Sequence, residues 1–141
     1  MNESWDSLRD PRTKTRLRVE SDRLVAPNGA SYPIVNRIPR FVSADNYAAD
    51  FGRQWLKFRH TQLDSHTGLS ISEARLDRCF GGKLSNVRGR HVLEAGGGAG
   101  RFTEILLNHG AVLDSFDFSS AVDANAANNG SRPFTLVQAD I

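Results

Sequence analysis

Apolar residues change their rhythm along the chain, and each rhythm predicts a different kind of element. From Arg16 to Val19 they alternate with polar ones, and Asp22-Arg-Leu-Val25 reads as a second short strand. Such alternation is the period of a strand with one buried face. Pro27-Asn-Gly-Ala30 marks a turn, and Ser31-Tyr-Pro-Ile-Val-Asn-Arg-Ile-Pro-Arg-Phe-Val42 follows it. Residues 1–43 therefore read as a small β module. From 44 to 88 the spacing becomes helical, with Tyr47, Phe51, Trp55 and Phe58 on one helix face and Gly52 weakening it. Phe51 and Phe58 read as core packing. Ser70 and Glu73 open a further helix in the arrangement of a capping box. From 89 to 141 short apolar runs alternate with helical stretches. Strands are expected at 91–95, 112–117 and 134–139. Phe102 to His109 reads as a helix closed by Gly110. A second helix is capped by Ser119 or Ser120 and broken at Asn129-Gly130. Right-handed crossovers would place the three strands in the order 3-2-1, with helices on the faces.

The chemistry concentrates at the end of the first of these strands. His91-Val-Leu-Glu-Ala-Gly-Gly-Gly-Ala-Gly-Arg-Phe102 is a strand, a glycine-rich turn and a helix start. Gly96, Gly98 and Gly100 let the backbone turn sharply and approach a ligand with no Cβ in the way. Ala111-Val-Leu-Asp-Ser-Phe-Asp117 is a second strand ending in an acid, 21 positions after Gly96. That is about the spacing at which such an acid reaches ribose hydroxyls, which its two oxygens can accept. Phe134-Thr-Leu-Val-Gln-Ala-Asp-Ile141 is a third strand ending in an acid, Asp140. A dinucleotide-binding turn, G-x-G-x-x-G/A, fits less well. Read from Gly96 its third glycine falls on Arg101, and Ala95-x-Gly97-x-x-Gly100 is a loose match. Glu94-x-Gly96-x-Gly98-x-Gly100 has the three glycines in regular alternation.

That lettering resembles the first motif of the class I S-adenosylmethionine-dependent methyltransferases. The resemblance implies an α/β, Rossmann-like βαβαβ half-sheet preceded by a small β module and a helical segment. It implies S-adenosylmethionine as cofactor, held by Glu94 and by Gly96, Gly97, Gly98 and Gly100 of the turn. Asp117 would lie at the ribose and Asp140 at the adenine, with Phe118 also among the cofactor-binding residues. Tyr32-Pro-Ile-Val35 with Ile38-Pro-Arg-Phe41 resembles the zinc-ribbon-like domain that precedes some of these enzymes. Such domains hold zinc through paired cysteines, and residues 1–43 contain none. The module is expected to be metal-free, held instead by Leu24, Val25, Tyr32, Ile34, Ile38 and Phe41. Phe51-Gly-Arg-Gln-Trp55 followed by Gln62-Leu-Asp-Ser65 resembles the lead-in of some small-molecule methyltransferases. It implies that Gln54, Trp55 and His60 cover the cofactor or substrate. No residue reads as a general base.

Composition changes this picture little. The 141 residues are 39% hydrophobic and 24% charged, as in a soluble globular domain. No apolar run is long enough for a membrane span, and the first residues lack the form of a signal peptide. A cytoplasmic location is the expectation. Residues 1–90 carry 16 Lys and Arg against 10 Asp and Glu, and residues 91–141 carry 2 against 6. Acids interleave the basic segment (Asp10, Glu20, Asp22), which argues for a solvated face over a nucleic-acid arm and favours a small-molecule methyl acceptor. The family's sheet continues beyond a third strand, so the resemblance implies an N-terminal portion of a methyltransferase domain. As an isolated chain it would be inactive or weakly active. Its first strand, 92–95, would be an open edge available for self-association. A non-catalytic assembly module and a nicotinamide-dinucleotide-binding protein are the competing expectations.

Overall fold

A computed structural model describes the backbone of residues 5–43 and 49–141. Tyr47 and the side chain of Phe51 lie outside the described residues. Strands β1 (Arg18–Glu20), β2 (Arg23–Val25), β3 (Ser31–Val35) and β4 (Ile38–Pro39) form an antiparallel sheet in that order. Asn36 and Arg37 both take positive φ, 54° and 62°, between the paired Val35 and Ile38. This is the two-residue hairpin whose twist matches that of its strands. Leu24 and Ile38 are fully buried, and the Tyr32 and Phe41 rings meet with centroids 4.8 Å apart. Asp10 ties the segment before β1 to the sheet. Its carboxylate accepts from the amides of Arg12 and Thr13 and from the Tyr32 hydroxyl.

Helices α1 (Ala49–Lys57), α2 (Asp64–Thr67) and α3 (Ile71–Cys79) make up the lead-in. Gly52 is required rather than merely tolerated: a Cβ there would overlap the Ser120 hydroxyl and come 2.9 Å from the Ser120 amide nitrogen. Phe58 does not enter the core. It stays half-exposed at the end of the helix, with the Lys57 ammonium 5.5 Å from its ring. The expected capping box at Ser70 does not form either. Ser70 makes no side-chain cap bond, and Asp64 from the preceding helix accepts the Ser72 and Glu73 amides instead. Glu73, released from capping, pairs with His109 at 2.7 Å.

The remaining strands β5 (His91–Ala95), β6 (Val112–Asp117) and β7 (Thr135–Gln138) are parallel, with β6 in the middle. Helices α4 (Arg101–Asn108) and α5 (Ala121–Asn129) are the crossovers. Both lie on one face of the sheet, since Glu94 accepts from Ser115 of β6 and from Thr103 of α4, and Thr103 in turn accepts from Asn125 of α5. Successive crossovers in one direction and of one hand place their helices on the same side. The opposite face shows Leu93 at 70% exposure, and β5 has β6 as its neighbour on one side.

The two sheets are joined. Arg40, just past β4, forms a parallel bridge with Gln138, and the Phe41 amide donates to the Gln138 carbonyl at 2.8 Å. Ile38 enters the same core as Leu84, Ile105, Leu113, Val122 and Leu136. Side chains of this size stabilise by about 1.5–3 kcal/mol each when fully buried.

Candidate functional site

The glycine turn divides its labour. Gly96 and Gly98 hold φ of 77° and 52° with open space where a Cβ would stand. They are glycine because of their backbone. At Gly97 a Cβ would strike the Ser115 hydroxyl and lie 3.1 Å from the Glu94 carboxylate. At Gly100, whose φ is 90°, it would overlap Asn125 and Asn129. These two are glycine because of what lies beneath them.

What lies beneath is a continuous polar network. Glu94 Oε2 accepts from the Thr103 hydroxyl at 2.5 Å and the Ser115 hydroxyl at 2.7 Å. Asn125 donates to Thr103, and Asn129 donates to Asn125 and to the Gly100 carbonyl at 3.1 Å. Burial pushes the Glu94 carboxyl up, its hydrogen bonds oppose that, and the Asp117 charge adds to the rise. Glu94 thus supports the turn from below and does not line the pocket above it.

Asp117 is the residue that meets the turn from the next strand. Its Oδ2 accepts from the Gly98 amide at 2.9 Å. Its Oδ1 accepts from both the Ser119 amide and hydroxyl, at 2.8 and 2.6 Å. A carboxylate offers about four acceptor positions. One therefore remains for a ligand hydroxyl, unless the Ser119 hydroxyl turns away to release a second. Ser119 also caps α5, accepting the Ala121 amide.

A pocket of about 220 Å³ opens over this junction. Gly96, Gly97, Gly98 and Asp117 form its floor, Ala99, Arg101 and Phe102 one wall. The lead-in supplies the other wall with Trp55, Arg59, Gln62, Leu63 and Arg75. Asn128 ties the two walls together, donating to the Ala99 carbonyl at 2.9 Å and the Arg59 carbonyl at 3.0 Å. Its Oδ1 is buried without a hydrogen-bond partner among the described residues.

Of the residues marked from sequence, the structure brings together the glycine turn, Asp117 and Trp55. Gln54 faces a separate shallow cleft with Trp55, Phe58 and Thr61. His60 stacks on His66, with ring centroids 5.1 Å apart, and accepts from Arg59 Nε. Phe118 takes part through its carbonyl, which accepts from Gln138 Nε2. Asp140 lies apart from the pocket. The β6–β7 ladder ends with the Ala139 amide on the Asp117 carbonyl, leaving Asp140 exposed. It lines a groove with Leu8, Lys14 and Phe41 and accepts from the Ile141 amide. Sequence reasoning missed Arg59, Arg75 and Arg101. They come from three separate segments of the chain, and no spacing signal joins them. Among the described residues, no cluster of three His, Cys, Asp or Glu side chains is arranged to hold a metal ion. The chain matches no protein-family model and no curated protein.

Proposed function

We propose that this pocket binds S-adenosylmethionine on a Rossmann-like half-sheet and that the protein transfers its methyl group to a small molecule. One observation carries the reading: the Gly98 amide and the Asp117 carboxylate meet at 2.9 Å. A glycine turn and an acid at the carboxyl ends of adjacent parallel strands are thereby joined under one pocket, where open α/β sheets hold their ligands. When bound, the cofactor supplies a methyl group on a sulfonium, displaced in line by an acceptor lone pair while the sulfur keeps the bonding electrons. The residues of the chain supply position, the main contribution such a reaction needs. The turn admits the ligand close to main chain, Asp117 offers its remaining acceptor position to a ribose hydroxyl, and Trp55 with Leu63 excludes water from one side. Glu94 holds the turn in shape from beneath.

Calorimetric titration with S-adenosylmethionine, S-adenosylhomocysteine and a nicotinamide dinucleotide tests this directly. The expected result is saturable binding of the first two, weakened by Asp117→Ala. Binding of the dinucleotide alone would replace the methyltransferase reading with that of a dinucleotide-binding protein. Binding of none would point to a non-catalytic module.

A further inference from the structure

We infer that the methyl acceptor carries an anionic group, a carboxylate or a phosphate, and that Arg59, Arg75 and Arg101 receive it; this rests on the methyl-transfer reading above. All three arginines line the pocket over the glycine turn. Arg59 follows α1, Arg75 lies on α3, and Arg101 opens α4. None of them has a carboxylate within ion-pair distance among the described residues. Their hydrogen-bond partners are neutral. Arg101 Nε donates to the Ser72 hydroxyl at 2.8 Å, and its guanidinium lies 5.2 Å from the Phe102 ring. Arg59 Nε donates to His60 at 3.1 Å. Asp64 feels the Arg101 charge, but its two oxygens are taken by the α3 amides. Asp117, the one carboxylate among the described residues that line the pocket, already accepts from three donors.

The pocket therefore holds an excess of positive charge in a concavity. It lies beside the first turn of α4, where the N-cap Gly100 provides no side-chain acceptor. S-adenosylmethionine, itself a net cation, adds to that excess. A second, anionic ligand offsets it, and guanidinium groups suit carboxylate and phosphate because they donate in a fixed fork.

Isothermal titration at low ionic strength separates this inference from the reading beneath it. S-adenosylhomocysteine is titrated first, and its failure to bind would remove the methyl-transfer reading and this inference with it. Benzoate and inorganic phosphate are then titrated separately into protein saturated with S-adenosylhomocysteine. Saturable binding of at least one probe is expected. It should weaken by about tenfold or more in Arg75→Gln and in Arg59→Gln, as for loss of one charge-assisted contact. The tighter probe identifies the acceptor group as carboxylate or phosphate. Arg75 and Arg59 are exposed, and thermal unfolding checks that their replacement leaves the fold intact. Two further results would overturn the inference. In one, the loaded protein binds neither probe, or binds one with no dependence on the arginines. In the other, the same substitutions abolish S-adenosylhomocysteine binding, which would assign the arginines to the cofactor's own carboxylate.

Discussion

A single added methyl group separates the two kinds of glycine in the turn. Gly98→Ala meets open space and costs only the strain of a left-handed backbone, about 1–2 kcal/mol. Gly100→Ala carries the same strain and also drives a Cβ into Asn125 and Asn129, adding about 1–3 kcal/mol of overpacking. Urea unfolding of the two variants should rank them in that order, and equal midpoints would contradict the account of Gly100. Glu94 makes a second prediction. Burial raises its carboxyl above the ordinary value of 4.5, so the folded chain keeps that proton to higher pH than the unfolded chain does. Between those two values the folded state binds more protons, and stability falls as pH rises. The E94Q variant has nothing to titrate there. Its unfolding free energy should lose that downward slope above pH 4.5, and an unchanged slope would assign it to another group.

At the level of elements, α3 depends on a residue outside itself. Burial pushes the Asp64 carboxyl up, but the Glu73 and Ser72 amides overcome this and hold it below its ordinary value of 3.8. Its stabilising contribution is present above that value and is lost as pH falls through the lowered one. Asp64→Ala should cost about 1 kcal/mol, with faster amide exchange at Ser72 and Glu73. Unaltered exchange there would show that the cap contributes nothing. The sequence made the parallel strands legible, because apolar runs ending in glycine or acid leave few alternatives. It also pointed to the hairpin-rich module through local alternation. The cap on α3 was hidden because Ser70 and Glu73 satisfy the capping pattern by spacing alone, whereas Asp64 acts through space. The floor of the pocket was readable from Gly96 to Asp117 for the same reason that its arginine wall was not. One is a single strand-turn-helix with its neighbour strand, the other an assembly of three distant pieces.

Across the whole molecule, the β module and the parallel sheet are fastened at Arg40. This residue is 9% exposed, pairs with Asp123 at 2.7 Å and donates to Gln138 at 3.1 Å. Asp123 is partly exposed, so leaving it unpaired costs less than the about 3–5 kcal/mol of a fully buried pair. Arg40→Ala should therefore loosen the module, and its amides should lose exchange protection before those of β5 and β6 do. Arg40→Met, which keeps the apolar stem, should retain more of the packing around Ile38. The same fastening has a consequence for how the chain is made. Arg40 and Gln138 are 98 positions apart. At a synthesis rate of about 5–20 residues per second, roughly 5–20 s pass between their appearances. During that interval the hairpins of the module can close on their own local pairs, while Ile38 and Arg40 wait in water for the strand that will cover them.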